Sequence, residues 1–395
     1  MHEAGEILLI LFIVLFAAGV GRVFSLRLGL PFVIGEILIG VIIGPSVLGL
    51  VHPSEFLRVL SELGAIFLLF TVGLETDIRA MVKVGLPSVM AGTLGVILPF
   101  FGGFLFAQRF ELGLTEAAFF GTALVATSVG ITSKVLLELN ALKEKYSGVI
   151  LGAAVLDDIL AMLLLAVVLG FKTGGGVSPG EILVPLLIAL LFVALFMFGV
   201  PLLVKKYLKE RERIEFRQSP ILPVITFLFG LSALSSYIGL AAIIGAFLAG
   251  LTVSELREYY RIEEEVAPIY ALFSPFFFVF IGLQLDVRVF LRSETLTLIV
   301  LITILAIVTK LVGAALGALA LGRREAIIIG VGMVPRGEVG ILVAGLGLNL
   351  KVISMDVFSI VVAMSILTTL ITPPVLAYLI NKLREKKEMI SAPTT

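Results

Sequence analysis

Asp157 and Asp158 lie side by side in the apolar run Gly152-Ala-Ala-Val-Leu-Asp-Asp-Ile-Leu-Ala-Met162. At about 1.5 Å per residue they sit roughly 18 Å into their helix, near the middle of a hydrocarbon layer about 30 Å thick. Inserting a charged carboxylate at that depth costs at least about 2.5–3.5 kcal/mol, so such an acid points to function before packing. Burial favours the neutral acid and a bound cation favours the carboxylate, so one group can hold either a proton or a hard cation such as Na⁺. That competition is what ion exchange requires. Neighbours on a helix project about 100° apart, which gives the two acids different surroundings: one faces a cavity while the other meets a neighbouring helix. The bland alternative is that both pair with buried cations and only fix helix packing.

Lys310 stands equally deep, in Thr303-Ile-Leu-Ala-Ile-Val-Thr-Lys310-Leu-Val-Gly313. An intramembrane charge almost always finds a partner, and the natural ones are Asp157 and Asp158. Two readings stand beside each other: a permanent salt bridge, or a pair that opens when a cation takes the acid and so releases a further proton. Two other stretches read as interrupted helices. Ala123-Leu-Val-Ala-Thr127-Ser128-Val-Gly130-Ile-Thr132 gathers hydroxyls and a glycine, and Gly330-Val-Gly-Met-Val-Pro335-Arg336-Gly337-Glu338-Val-Gly340 gathers a proline, glycines and a charge pair. They occupy matched places about 210 residues apart, and matched interruptions point to a transporter site. Unwound backbone offers carbonyls to an ion, and half-helix ends supply opposed partial charges that Arg336 and Glu338 would neutralise. Thr127 and Ser128 are candidate ion ligands, although hydroxyls in membrane helices more often bond the backbone. Glu75 and Asp77 close a helix where an access funnel would open, Asp286 reads as a cap, and Glu36 as solvated or capping as readily as transporting.

The elements that must position these groups are membrane helices. Of 395 residues 59% are hydrophobic and only 15% charged, with mean hydropathy +1.16, against about 25% charged in an ordinary soluble domain. The chain has no cysteine and two histidines, which excludes disulfide frameworks, thiolate sites and a His-rich metal centre. The acidic start, with no small-residue cleavage site after the first apolar run, reads as a retained helix. Thirteen apolar stretches follow: roughly 6–26, 31–49, 57–76, 84–108, 114–138, 146–170, 180–206, 219–236, 239–254, 266–284, 294–321, 325–349 and 355–381. With the N-terminus outside, 21 of the 29 basic residues fall in inside joints and tail and six outside, a strong positive-inside pattern. Lys205 to Arg217 reads as an inside basic loop, and Gly313 to Gly322 as close helix packing.

The two halves resemble each other. Leu30 to Gly40 aligns with Leu240 to Gly250, and Phe67 to Asp77 with Phe276 to Asp286, at offsets of 210 and 209. Six helices would then repeat, inverted, about a linker helix, with the site between the repeats. The expected organisation is interface helices in 1–83, core helices in 84–170, a linker in 171–217, interface helices in 218–292, and core helices with a short tail in 293–395.

These motifs carry a family resemblance. Leu-Pro-Phe-Val-Ile-Gly-Glu-Ile-Leu-Ile-Gly40, Phe-Leu-Leu-Phe-Thr-Val-Gly-Leu-Glu75, Ala-Leu-Val-Ala-Thr-Ser-Val-Gly-Ile-Thr132, Asp157-Asp158 and Pro335-Arg-Gly-Glu-Val-Gly340 occur in order over the chain. Together they resemble the cation:proton antiporter superfamily and, within it, the NapA-like sodium/proton antiporters. The resemblance implies an all-α polytopic NhaA-like fold of thirteen transmembrane helices, with two broken helices crossing in the core. It also implies a homodimer whose six-helix cores move as elevators. By that resemblance Asp158 binds the cation, Asp157 pairs with Lys310 when the site is empty, and Thr127 and Glu338 lie beside it. The electroneutral branch has Asn before the ion-binding Asp and Arg in place of Lys310, so this chain is similar to the electrogenic branch. Only eight residues follow Lys387, which argues against a carboxy-terminal nucleotide-binding module of the kind found in ligand-gated potassium-efflux relatives.

The expected activity is therefore electrogenic Na⁺(Li⁺)/H⁺ antiport in a prokaryotic inner membrane, without cofactor, enzymatic activity or nucleic-acid partner. K⁺/H⁺ exchange on the same fold is the nearest alternative. An intramembrane aspartyl protease would need facing acids on separate helices, usually within Gly-x-Gly-Asp, and none is found. A passive channel would not need a titratable Asp pair with a lysine.

Overall fold

The structure is a computed structural model that describes residues 2–76, 83, 85–110, 112–172, 179–200, 221–256, 261–291 and 293–391. Every described regular element is helical: α1 (His2–Arg27), α2 (Phe32–Ile43), α3 (Glu55–Glu75), α4 (Gly85–Arg109), α5 (Leu114–Ala123), α6 (Val129–Glu138), α7 (Lys145–Lys172), α8 (Pro179–Ala194), α9 (Ile221–Tyr237), α10 (Ala242–Ser254), α11 (Ile262–Leu283), α12 (Ser293–Gly317), α13 (Arg323–Gly332), α14 (Glu338–Asn349) and α15 (Met355–Ser391). A π-helical turn, Leu195–Gly199, continues α8, and 3₁₀ turns occupy Val287–Leu291 and Leu319–Leu321.

The expectation of thirteen spanning helices is corrected here. Among the described residues eight helices are long and apolar enough to cross a membrane, while Phe32–Ile43, Ile221–Tyr237, Ala242–Ser254 and Gly340–Asn349 are shorter. Twelve helical residues in α2 reach only about 18 Å of a layer about 30 Å thick. The chemistry of chain breaks explains the difference. Pro335 has no amide hydrogen and disfavours helix in the residue before it, so 325–349 divides into α13 and α14. The 114–138 stretch divides into α5 and α6 at Leu124–Ser128 without a proline. Between α9 and α10 the chain turns at Gly239, whose φ of +89° suits glycine. Lys205 to Arg217, Asp77 and the last residues of the expected linker helix, 201–206, lie outside the described residues.

The helices sort into two groups by what they pack against. In the first, α2 and α3 pack on α11, α3 also on α10, and α9 on α10, with α1 against α2. In the second, α4 packs on α12, α5 and α7, while α15 packs on α12, α13 and α14. Between the groups the packing is sparse, chiefly α6 on α3 with smaller contacts of α2 on α6 and α15. Backbones of the first group meet at glycines. Gly40 faces Val279 and Gly282, and Gly73 faces Phe247 and Gly250, so closely that a Cβ on any of the four would collide with backbone atoms. The long seam between α4 and α12 is built the same way, with Gly313 against Leu94 and Gly317 against Met90 and Ala91. Large apolar side chains such as Leu8, Phe12, Phe16, Leu86, Leu191 and Leu222 point outward, as lipid-facing helices require.

Candidate functional site

The two broken stretches cross and are stitched together by hydrogen bonds. The Ser128 amide donates to Pro335 O (2.8 Å). The Thr127 hydroxyl donates to Met333 O (3.3 Å) and the Thr132 hydroxyl to Gly332 O (2.6 Å). All three side chains are buried, so these bonds satisfy carbonyls that the interrupted helices leave without intrahelical donors. From α15, Thr369 Oγ1 donates to Arg336 O (2.7 Å), and the Arg336 amide donates to Thr368 Oγ1 (3.1 Å).

Each half-helix that ends in the crossing meets a cation. Lys310 Nζ on α12 donates to Val125 O (2.8 Å), just past the end of α5. The Arg336 guanidinium donates to Met333 O (3.4 Å) and Val334 O (3.2 Å), just past the end of α13, and to Ala306 O (3.3 Å) on α12. A positive group at a helix carboxy end opposes the negative end of the dipole. Both side chains are fully buried. The expected charge neutralisation at the helix ends therefore has a concrete form for Arg336. The Glu338 side chain lies outside the described residues, although its backbone opens α14.

Lys310 Nζ also binds Asp157 Oδ1 at 2.5 Å, with both side chains fully buried. Asp157 Oδ2 has no hydrogen-bond partner among the described residues, so this is a buried pair with one lone oxygen. Gly95 on α4 leaves room for the aliphatic stem: a Cβ there would touch Lys310 Cε at 3.6 Å. Asp158, the next residue, points elsewhere. It borders a small cleft lined by Leu69 of α3, Val129 of α6, Ala154 of α7 and Ile243, Ile244 and Phe247 of α10. Asp158 is the single charged group on that lining. Because α3 and α10 belong to the first group of helices and α7 to the second, to which α6 is tied by the Ser128–Pro335 and Thr132–Gly332 bonds, the Asp158 carboxyl sits at the seam between them.

The structure thus brings Asp157, Lys310, Val125 O and Arg336 into one electrostatic neighbourhood. Asp158 lies on its edge, within charge reach of Lys310. Thr127 is committed as a donor to Met333 O and keeps its lone pairs. Glu75 is half-buried at the end of α3, and Asp286 Oδ1 accepts the Arg288 amide (3.0 Å), a cap on the 3₁₀ turn. Glu36 is neither solvated nor capping: it is fully buried and paired with Arg22 Nε at 2.5 Å. Lys134, counted from sequence among the joint cations, is buried inside α6. Its spacing of four residues from Glu138, one helical turn, was the available signal.

Known proteins similar to this chain in sequence or in fold are named as antiporters. A Na(+)/H(+) antiporter of Enterococcus hirae is 37% identical over 382 residues, covering 95% of this chain and 99% of that one. The Na(+)/H(+)-K(+) antiporter GerN of Bacillus cereus is 36% identical, covering 90% and 91%. Two solved structures of the sodium proton antiporter MjNhaP1 from Methanocaldococcus jannaschii superpose with TM-scores of 0.63 and 0.72 at 20% and 19% identity. They cover 93% and 95% of this chain and 97% and 96% of the neighbour. This likeness corrects the expected NhaA-like fold to an MjNhaP1-like one; crossed broken helices, the feature behind the expectation, are not specific to the former. The sodium/hydrogen exchanger family (transmembrane) matches residues 9–382, and this multi-pass membrane chain belongs to it.

Proposed function

We propose that the chain is an electrogenic, NapA-like Na⁺(Li⁺)/H⁺ antiporter that exports sodium as protons move inward, with Asp158 as the carrier shared by both ions. The observation that carries this reading is the division of labour between adjacent acids. Asp157 is held by Lys310 within one helix group, while Asp158 alone charges the cleft between the groups. A cation arriving at Asp158 displaces its proton and draws on the second carboxylate. Asp157 then turns toward the ion, and Lys310, losing its counter-ion in a dry site, gives up a proton. Two protons against one monovalent cation make the cycle electrogenic. Thr127 and Ser128 at the crossing, with the carbonyls exposed by the break, complete the oxygen shell.

Sparse packing between the groups supports movement of the second group past the first, exposing Asp158 to each side in turn. The exposed apolar face of α1, with Leu8, Phe12 and Phe16, suits a homodimer contact in the first group. The positive-inside pattern supports an outside N-terminus in a prokaryotic cell membrane.

Electrogenicity has a direct test. Vesicles containing the protein, with equal Na⁺ and equal pH on both sides, receive an inside-negative diffusion potential. Sodium is expected to leave the vesicles against no initial gradient, carried by entering protons. An unmoved sodium content would make the exchange electroneutral and remove Lys310 from the proton count.

A further inference from the structure

A second buried charge cluster lies at the far end of α6 from the crossing. Lys134 Nζ donates to Tyr270 OH (2.5 Å) and to Ser274 Oγ (3.5 Å), both on α11. The same nitrogen stands 4.8 Å from the centroid of the Tyr270 ring and 3.7 Å from Glu138 Oε1. Glu138 Oε2 accepts the Phe32 amide at the start of α2 (2.9 Å). One turn along α2, Glu36 holds Arg22 of α1 at 2.5 Å and lies within charge reach of Lys134 and Glu138. Lys134 is 5% exposed. Leucine would fill that space without the penalty of burying an ammonium group, so packing alone does not account for it.

The direction of the bonds does. The hydrogen bonds that Lys134 and Glu138 make outside α6 end on α2 and α11, in the first group of helices. The other end of α6 carries Val129 at the Asp158 cleft and the Ser128 amide at the crossing. A ten-residue helix is a stiff rod about 15 Å long, so fixing one end fixes the other. We propose that Lys134 and Glu138 are positioning residues for exchange: they anchor α6 across the seam to α2 and α11 in one end state. That anchor must release before Asp158 can face the other side. The proposal rests on alternating access at Asp158 and adds the contact that the access change has to break. Two cations and two carboxylates balance the cluster, so release and re-formation leave no net charge in the bilayer.

The chain has no cysteine, so a Phe32→Cys/Glu138→Cys variant carries the only two thiols and can be bridged by a short bis-thiosulfonate, which forms a reducible disulfide at each thiol and releases two sulfinates. In vesicles, bridging is expected to stop Na⁺-dependent proton flux and reduction of the bridge to restore it. Undiminished flux through bridged protein would overturn the anchor while leaving the antiport reading intact. Absent flux in unmodified wild type would strike the antiport reading instead. A second measurement does not depend on that variant's activity. A single cysteine at Ala154, beside Asp158, is labelled from each side of the membrane by an impermeant reagent. Lys134→Met is expected to change the ratio of the two labelling rates about tenfold, as loss of a charged hydrogen bond in one end state requires, and Lys134→Arg to keep most of the wild-type ratio. Equal ratios in all three would show a merely structural cluster.

Discussion

Asp158→Asn is expected to reduce Na⁺-dependent proton flux in proteoliposomes to the level of protein-free vesicles while the protein still folds. Asparagine keeps the shape and loses the charge that faces the cleft. A unit charge about 4 Å from a cation, in a medium of effective dielectric about 20, is worth about 4 kcal/mol, close to a thousandfold in affinity. The amide also cannot carry a proton across, so both arms of the exchange fail together. In wild type the proton and the sodium ion compete for one carboxyl. The apparent sodium affinity therefore falls about tenfold for each pH unit below the carboxyl's own pKa, and recovers as pH rises. Residual sodium-driven flux in Asp158→Asn would move the carrier elsewhere.

Lys310→Met is expected to give the largest loss of stability. Methionine keeps the bulk beside Gly95 but leaves Asp157 buried at 0% exposure without its bonded ammonium, and takes the Lys310 donor from Val125 O. Breaking a buried pair by removing one partner costs about 3–5 kcal/mol, which a thermal melt of the purified protein reads as a large drop in midpoint. Asp157→Asn/Lys310→Met removes both charges and is expected to recover most of that loss, because replacing a whole buried pair is often close to neutral. Under the electrogenic reading neither variant recovers potential-driven sodium movement. A Lys310→Met protein as stable as wild type would mean that the pair carries no weight in stability.

Much of this site was legible because membrane helices make polar residues conspicuous. Asp157, Asp158, Lys310 and Arg336 each interrupt an apolar run, and a charge at that depth has few innocent explanations. The matched breaks were visible through Pro335 and through the hydroxyls around Thr127. What the sequence hid has two physical sources. Helix length in a bilayer is read from apolar run length, and α2 and α10 are flanked by apolar turn residues that extend the run without extending the helix. That is why 31–49 looked long enough to cross and Phe32–Ile43 is not. Charges near a helix end resemble snorkelling or joint residues, so beyond the one-turn spacing of Lys134 and Glu138 nothing in the sequence tied these two to Glu36. Only the fold brings residues 22, 36, 134, 138 and 270 to one place.

Exchange of sodium for protons through this chain is read most simply as proton movement on adding a cation. Purified protein in vesicles, with an imposed pH gradient and a fluorescent proton indicator, is challenged in turn with Na⁺, Li⁺ and K⁺. Na⁺ and Li⁺ are expected to collapse the gradient and K⁺ to leave it standing. Collapse by K⁺ alone would contradict the assigned cation, and a gradient indifferent to all three would contradict antiport itself.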